Sequence, residues 1–170
     1  MIGNITGTVA FGLLIVAAIV QIVYLLRRER TADPFSHFLE LAAAALLLSI
    51  TIHRSIQIRF PAVTNTFESL VFFTSVIALV LFVYRLRAKD RTLPFVMFGG
   101  TIVAVAILAI ASSPIAPSAV LPPIPALQSY WLALHVSLSF VGESFFVVAF
   151  VCSIAYLSTG SEERRLRLDR

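Results

Sequence analysis

This chain has very little charge. Asp, Glu, Lys and Arg make up 13% of its 170 residues, whereas 59% are hydrophobic. Soluble domains carry about 25% charged residues, so the shortfall excludes an independently water-soluble fold. Cysteine is nearly absent too. A single Cys152 rules out an internal disulfide and a Cys-x-x-Cys redox pair. It lies in an apolar run and reads as an inert core or lipid-facing thiol. Tryptophan is limited to Trp131. No Ser-His-Asp set, glycine-rich phosphate loop or metal-type histidine pair is present. No internal repeat or low-complexity tract is present either, which speaks against a small-molecule transporter built from inverted repeats.

Long apolar runs are what the chain does have. A hydrocarbon core about 30 Å thick needs roughly 20 helical residues at 1.5 Å each. Five runs meet that length, at about 5–26, 35–56, 66–84, 94–111 and 129–157. The first lacks a basic leader and exceeds the usual 7–15 residues of a signal-peptide core, so it reads as a span. The predicted fold is an all-α integral membrane protein, one bundle of about five transmembrane helices over 1–158 with a basic tail at 159–170. The basic residues orient it. Arg27, Arg28 and Arg30 fill the first loop, Arg85, Arg87, Lys89 and Arg91 the third, and Arg164, Arg165, Arg167 and Arg170 the tail. Only Arg54 and Arg59 lie on the other side. The positive-inside rule therefore predicts an outer N-terminus, two outer loops and a cytoplasmic C-terminus. The net charge of +4 is on this reading a topology signal, not a nucleic-acid footprint.

Ionisable residues inside spans are the candidates for function. His135 sits just inside the fifth span, after a loop stiffened by Pro114, Pro117, Pro122, Pro123 and Pro125, and one turn from Trp131. A neutral imidazole there can be an axial ligand for haem iron or can hydrogen-bond a neighbouring helix. Ser139 and Gly142 continue its face and leave room for a flat macrocycle or a close helix. His53 lies at a similar predicted depth and reads either as a second ligand or as an interfacial residue. His37 is about 25 Å of helix from His53 and cannot share its ligand. Arg54 and Arg59 can bind carboxylates such as haem propionates, or anchor the interface. Asn65-Thr66-Phe67-Glu68 has capping-box spacing, so Glu68 is expected to close the start of the third helix. Glu143 falls near mid-membrane, where it should be protonated or paired, with Ser49, Thr51 and Glu40 as conceivable neighbours. Gly99-Gly100 reads as a close helix contact.

Two segments together resemble the CcsA/ResC-type cytochrome c biogenesis proteins. One runs Arg59-Phe60-Pro61-Ala62-Val63-Thr64-Asn65-Thr66-Phe67-Glu68-Ser69-Leu70-Val71-Phe72-Phe73 and looks like that family's outer-loop and helix-start motif. The other runs Pro125-Ala126-Leu127-Gln128-Ser129-Tyr130-Trp131-Leu132-Ala133-Leu134-His135-Val136-Ser137 and looks like its histidine motif. They occur in the family's order, and the resemblance covers roughly 44–157. It implies that His135 is an axial haem ligand at the outer membrane face, with protohaem as the cofactor. It also implies that Phe60 to Ser69 helps form the haem-handling site.

The implied function is to position haem for attachment to apocytochrome c. The family's tryptophan-rich WWD segment and its later histidines have no counterpart here, so the match is to the family's N-terminal half. The expected partners are a chain carrying the WWD segment or a ResB/CcsB-like subunit, apocytochrome c, and a thiol reductant, since this chain has no Cys-x-x-Cys. At most the chain is then part of a haem lyase complex, inactive alone. The alternative is a non-catalytic membrane scaffold derived from that family.

Overall fold

A computed structural model describes residues 2–27, 33–87 and 93–158. All regular secondary structure in these segments is helical. The helices are α1 (Ile2–Leu26), α2 (Ser36–Ile58), α3 (Thr66–Arg87), α4 (Leu93–Ala111) and α5 (Tyr130–Leu157), with a short 3-10 turn at Pro125–Leu127 before α5. All five are long and apolar enough to cross a membrane. The expected spans agree with them to within three residues at each end of the last four. The tail at 159–170, and with it four of the arginines used for orientation, lies outside the described residues, as do Arg28, Arg30, Lys89 and Arg91.

The ends of the helices are set by local chemistry. Asp33 starts α2: its Oδ1 accepts from the backbone N–H groups of Phe35 and Ser36, and its Oδ2 accepts from the Ser36 hydroxyl. The helix stops at Ile58 because Arg59 adopts a left-handed conformation (φ 54°, ψ 32°) and its N–H returns to the Ser55 carbonyl. Phe60 N–H joins it there at 3.2 Å. This is the usual way of satisfying terminal carbonyls, here with arginine where glycine is common.

Helices α1 to α4 close into a ring: α1 packs on α2 and α4, and α3 packs on α2 and α4. Helix α5 lies outside this ring, packed mainly against α3 and α4. The ring's core is built from Ala10, Leu14, Ala43, Leu47, Ile77 and Ala104, all fully buried. By contrast α5 buries only Ala133, Ser144, Val151 and Ala155, a narrow stripe. Phe140 on α5 stacks on Phe73 of α3 at 5.1 Å. Lipid tails are as apolar as these side chains, so close packing and interhelical hydrogen bonds hold such a bundle, more than water exclusion.

The paired glycines of α4 serve that close packing in two directions. A Cβ on Gly99 would run into the Val151 side chain of α5. One on Gly100 would lie 2.5 Å from Leu81 Cδ2 of α3. Leu81 is fully buried and has no room to retreat. Gly100→Val should therefore cost about 1–3 kcal/mol by overpacking and lower the thermal midpoint of the purified protein. Gly12→Ala, where nothing lies within 4 Å, should leave it unchanged or raise it.

Candidate functional site at the loop end

The 59–65 and 112–129 loops lie at the same end of the bundle, and a buried arginine joins them. Arg54, on the last turn and a half of α2, points inward with its side chain 9% exposed. Its Nε donates to Glu68 Oε1 at 3.2 Å, and Glu68 is 1% exposed. Its Nη1 donates to the Ser118 carbonyl at 3.0 Å and its Nη2 to the Ala119 carbonyl at 3.1 Å. The guanidinium also lies over the Phe67 ring, 4.8 Å from its centroid. One side chain thus ties α2, α3 and the long proline-rich loop together.

This arrangement changes the reading of two residues. Glu68 does not reach back to the start of its own helix. Asn65 Oδ1 accepts from Phe67 N–H at 2.8 Å, so the Asn half of the expected capping box exists in shifted form. The glutamate half is diverted to Arg54, because a buried guanidinium offers a far stronger partner than a backbone amide that water can reach. Arg54, in turn, has its two terminal nitrogens and its Nε engaged by protein groups. It works as a tie, and Arg59, exposed on its left-handed cap, is the cation that this end presents.

The first loop is pinned by further short bonds. Ala62 N–H donates to Ser55 Oγ at 2.8 Å, and the Ser69 hydroxyl donates to the Val63 carbonyl at 2.9 Å. Ala62 and Val63 are buried beneath it. The second loop is held by Arg54 and, near its end, by Gln128 Nε2 donating to the Pro123 carbonyl at 2.8 Å. The loops also meet through rings: Phe60 and Tyr130 lie 5.2 Å apart. So the motif around Phe60 touches the first residue of α5, the helix that carries His135.

His135 itself is exposed, on the side of α5 away from the ring. Trp131, one turn earlier, is 80% exposed. Along the same face Gly142 has open space where a Cβ would stand. The result is a shallow apolar surface with one imidazole and one indole at its loop end. His53 is exposed as well, but on α2. The helices that carry the two histidines do not pack along one another, since α3 lies between them. Similar depth alone therefore does not bring His53 beside His135.

Glu143 is exposed on α5, and the neighbours conceived for it are engaged elsewhere. Ser49 and Thr51 donate to the Leu46 and Leu47 carbonyls of their own helix. Glu40 bonds Gln21 and Thr101. That expectation is corrected by topology: all three candidates sit on α2, and α5 packs on the far side of α3. Among the described residues no group of three His, Cys, Asp or Glu side chains forms a metal site.

Sequence reasoning missed two pairings, Arg54 with Glu68 and Glu40 with Gln21 and Thr101. A signal existed for the first. Arg54 and Glu68 flank one short loop, each just inside an apolar run, and an unpaired charge cannot stay there.

The sequence model of a family described as "Cytochrome C assembly protein" matches residues 63–168. No curated protein and no solved structure matches the chain.

Removing one partner of the buried pair leaves the other charge uncompensated, at about 3–5 kcal/mol. Arg54→Gln and Glu68→Gln should each lower the thermal midpoint. Arg54→Gln should also expose the 112–129 loop to limited proteolysis. The double variant should be less damaged than the sum of the two, as a double-mutant cycle will show.

Proposed function

The chain belongs to the cytochrome c assembly protein family, and from that premise we propose that it is a haem-handling membrane subunit of a cytochrome c maturation system. It is a multi-pass membrane protein, and the family match sets its role in cytochrome c biogenesis. The finer reading is that its loop end faces outward from a bacterial cytoplasmic membrane and positions haem for transfer to apocytochrome c.

The observation that carries this reading is the exposed His135 beside Trp131, on a helix face left open below it. The donor set fits the cargo. An imidazole can ligate haem iron, an indole can lie against a porphyrin ring, and an exposed guanidinium can bind a propionate. His135 is assigned the iron, Trp131 the ring and Arg59 a propionate. Bound haem supplies the vinyl groups that cysteine thiols of the acceptor protein attack.

This chain contributes binding and orientation. Its loops, tied by Arg54, hold the entry to α5 in place through the Phe60–Tyr130 contact. His135 would supply one imidazole to the iron, and a second chain or segment that closes the face of α5 would supply any further ligand. That element would also supply the tryptophan-rich surface, and a separate reductant would keep the acceptor thiols reduced.

A scaffold reading has one observation in its favour: no described histidine packs beside His135. The two readings separate in one experiment. The complex purified with its genomic neighbours should show a Soret band whose intensity falls several-fold in His135→Ala and whose position shifts in His135→Met. A spectrum and haem content unchanged in His135→Ala would remove the ligand assignment and leave the scaffold. Arg59→Gln should weaken haem retention on a desalting column, with the wild-type band position kept.

A further inference from the structure

At the end of the bundle opposite the two loops, a second polar cluster lies between α1, α2 and α4. Glu40 and Thr101 are 0% exposed, Ser36 1% and Gln21 2%. The hydrogens in this cluster can be counted. Gln21 Nε2 has two, and they go to Ser36 Oγ at 3.0 Å and Glu40 Oε1 at 2.8 Å. The Ser36 hydroxyl hydrogen goes to Asp33 Oδ2 at 2.7 Å. Thr101 has one, shared between Glu40 Oε1 at 2.7 Å and the Met97 carbonyl at 2.8 Å. Every hydrogen is then spoken for, and two buried oxygens receive none: Glu40 Oε2 and Gln21 Oε1.

Those two atoms belong to side chains that already share a bond. Their joint deficit is one hydrogen between a carboxyl and an amide. We propose that Glu40 is a proton-binding site, holding a proton on Oε2 at neutral pH and donating it to Gln21 Oε1. The acid O–H to amide oxygen bond and the amide N–H to acid oxygen bond then form a cyclic pair linking α1 to α2. Thr101 seals it from α4.

The surroundings favour the neutral acid. Helix α1 has no charged residue between 5 and 26, and α4 none between 93 and 111. On α2 itself, His37 stands one turn nearer the helix start and stacks on Phe82 of α3, with 5.9 Å between ring centroids. Asp33 precedes the helix and is engaged by Ser36. From α3, Arg85 Nη2 donates to the Asp33 carbonyl at 3.3 Å. No described Lys, Arg or His forms an ion pair with Glu40; the described pair is Arg54 with Glu68. An ionised Glu40 would be a buried carboxylate with one oxygen unpartnered, a strongly disfavoured state. A proton removes that cost and satisfies both orphan oxygens together.

Infrared spectroscopy of the whole protein, in a detergent free of ester carbonyls, tests this. A protonated-carboxyl component should be present at neutral pH, shift in deuterated buffer, be lost in Glu40→Gln and be retained in Glu143→Gln. Glu40→Gln should keep a thermal midpoint within a few degrees of wild type, since its amide supplies the missing hydrogen. Glu40→Ala should lower it clearly. A protonated-carboxyl region left unchanged by Glu40→Gln overturns the proposal. So does an ionised Glu40 with a wild-type midpoint that rises in sodium chloride over choline chloride, which would make the ligand a small metal cation.

Discussion

A charge placed among apolar helices must be neutralised from within the protein, and in this bundle the arrangement of the loop end depends on how Arg54 meets that requirement. Water cannot solvate it where it sits, so it takes Glu68 from the next helix and two carbonyls from a loop 64 and 65 residues further on. Without it the loop would have no polar anchor in the bundle, because its proline-rich sequence forms little regular structure of its own. The ion pair is thus worth less as a net stabiliser than as a device that selects one loop path over others. That path delivers Tyr130 to Phe60 and fixes where α5 enters.

The same constraint is met differently at the other end. There the polar groups are an acid, an amide and two hydroxyls, with no cation bonded to the acid. Charge pairing suits Arg54, whose guanidinium stays ionised and so needs a carboxylate and carbonyls around it. Neutral hydrogen bonding suits Glu40, which is wholly enclosed. Each cluster ties a consecutive helix pair to a distant element, the loop before α5 in one case and α4 in the other, which matters in a bilayer because hydrophobic burial alone gives little preference for one helix pairing over another. The ring of α1 to α4 is specified by these polar contacts, and its small residues then allow the backbones to approach.

Much of this was legible beforehand. Five spans followed from long apolar runs, because a backbone in lipid has to satisfy its own hydrogen bonds and a helix does so locally. The glycine pair on α4 read correctly as a close contact, since nothing else favours two adjacent glycines in an apolar helix. The motifs around Phe60 and His135 pointed to the family that the match over residues 63–168 shows. What could not be read was which polar residue meets which. Glu143 and Glu40 look alike in a sequence, two carboxyls in apolar spans. One is fully enclosed by three helices and the other is exposed on α5, and only the packing order distinguishes them. Glu68 misled for a related reason: capping-box spacing is a local signal, and Arg54 competes from another helix.

The packing order also explains why the candidate haem residues sit where they do. A side chain inside the four-helix ring is enclosed by neighbouring helices. Helix α5, outside the ring and buried along a single stripe, leaves most of its circumference open while its start is held by the tied loops. His135 and Trp131 therefore lie near the tied start of α5 and remain exposed. A pocket that enclosed haem fully would gain affinity and lose the ability to pass it on. The cost is a membrane helix with an exposed histidine and an exposed glutamate, each of which a bilayer alone would oppose. Both residues fall on the open side of α5, and the same covering element that completed a haem site there would remove both from lipid.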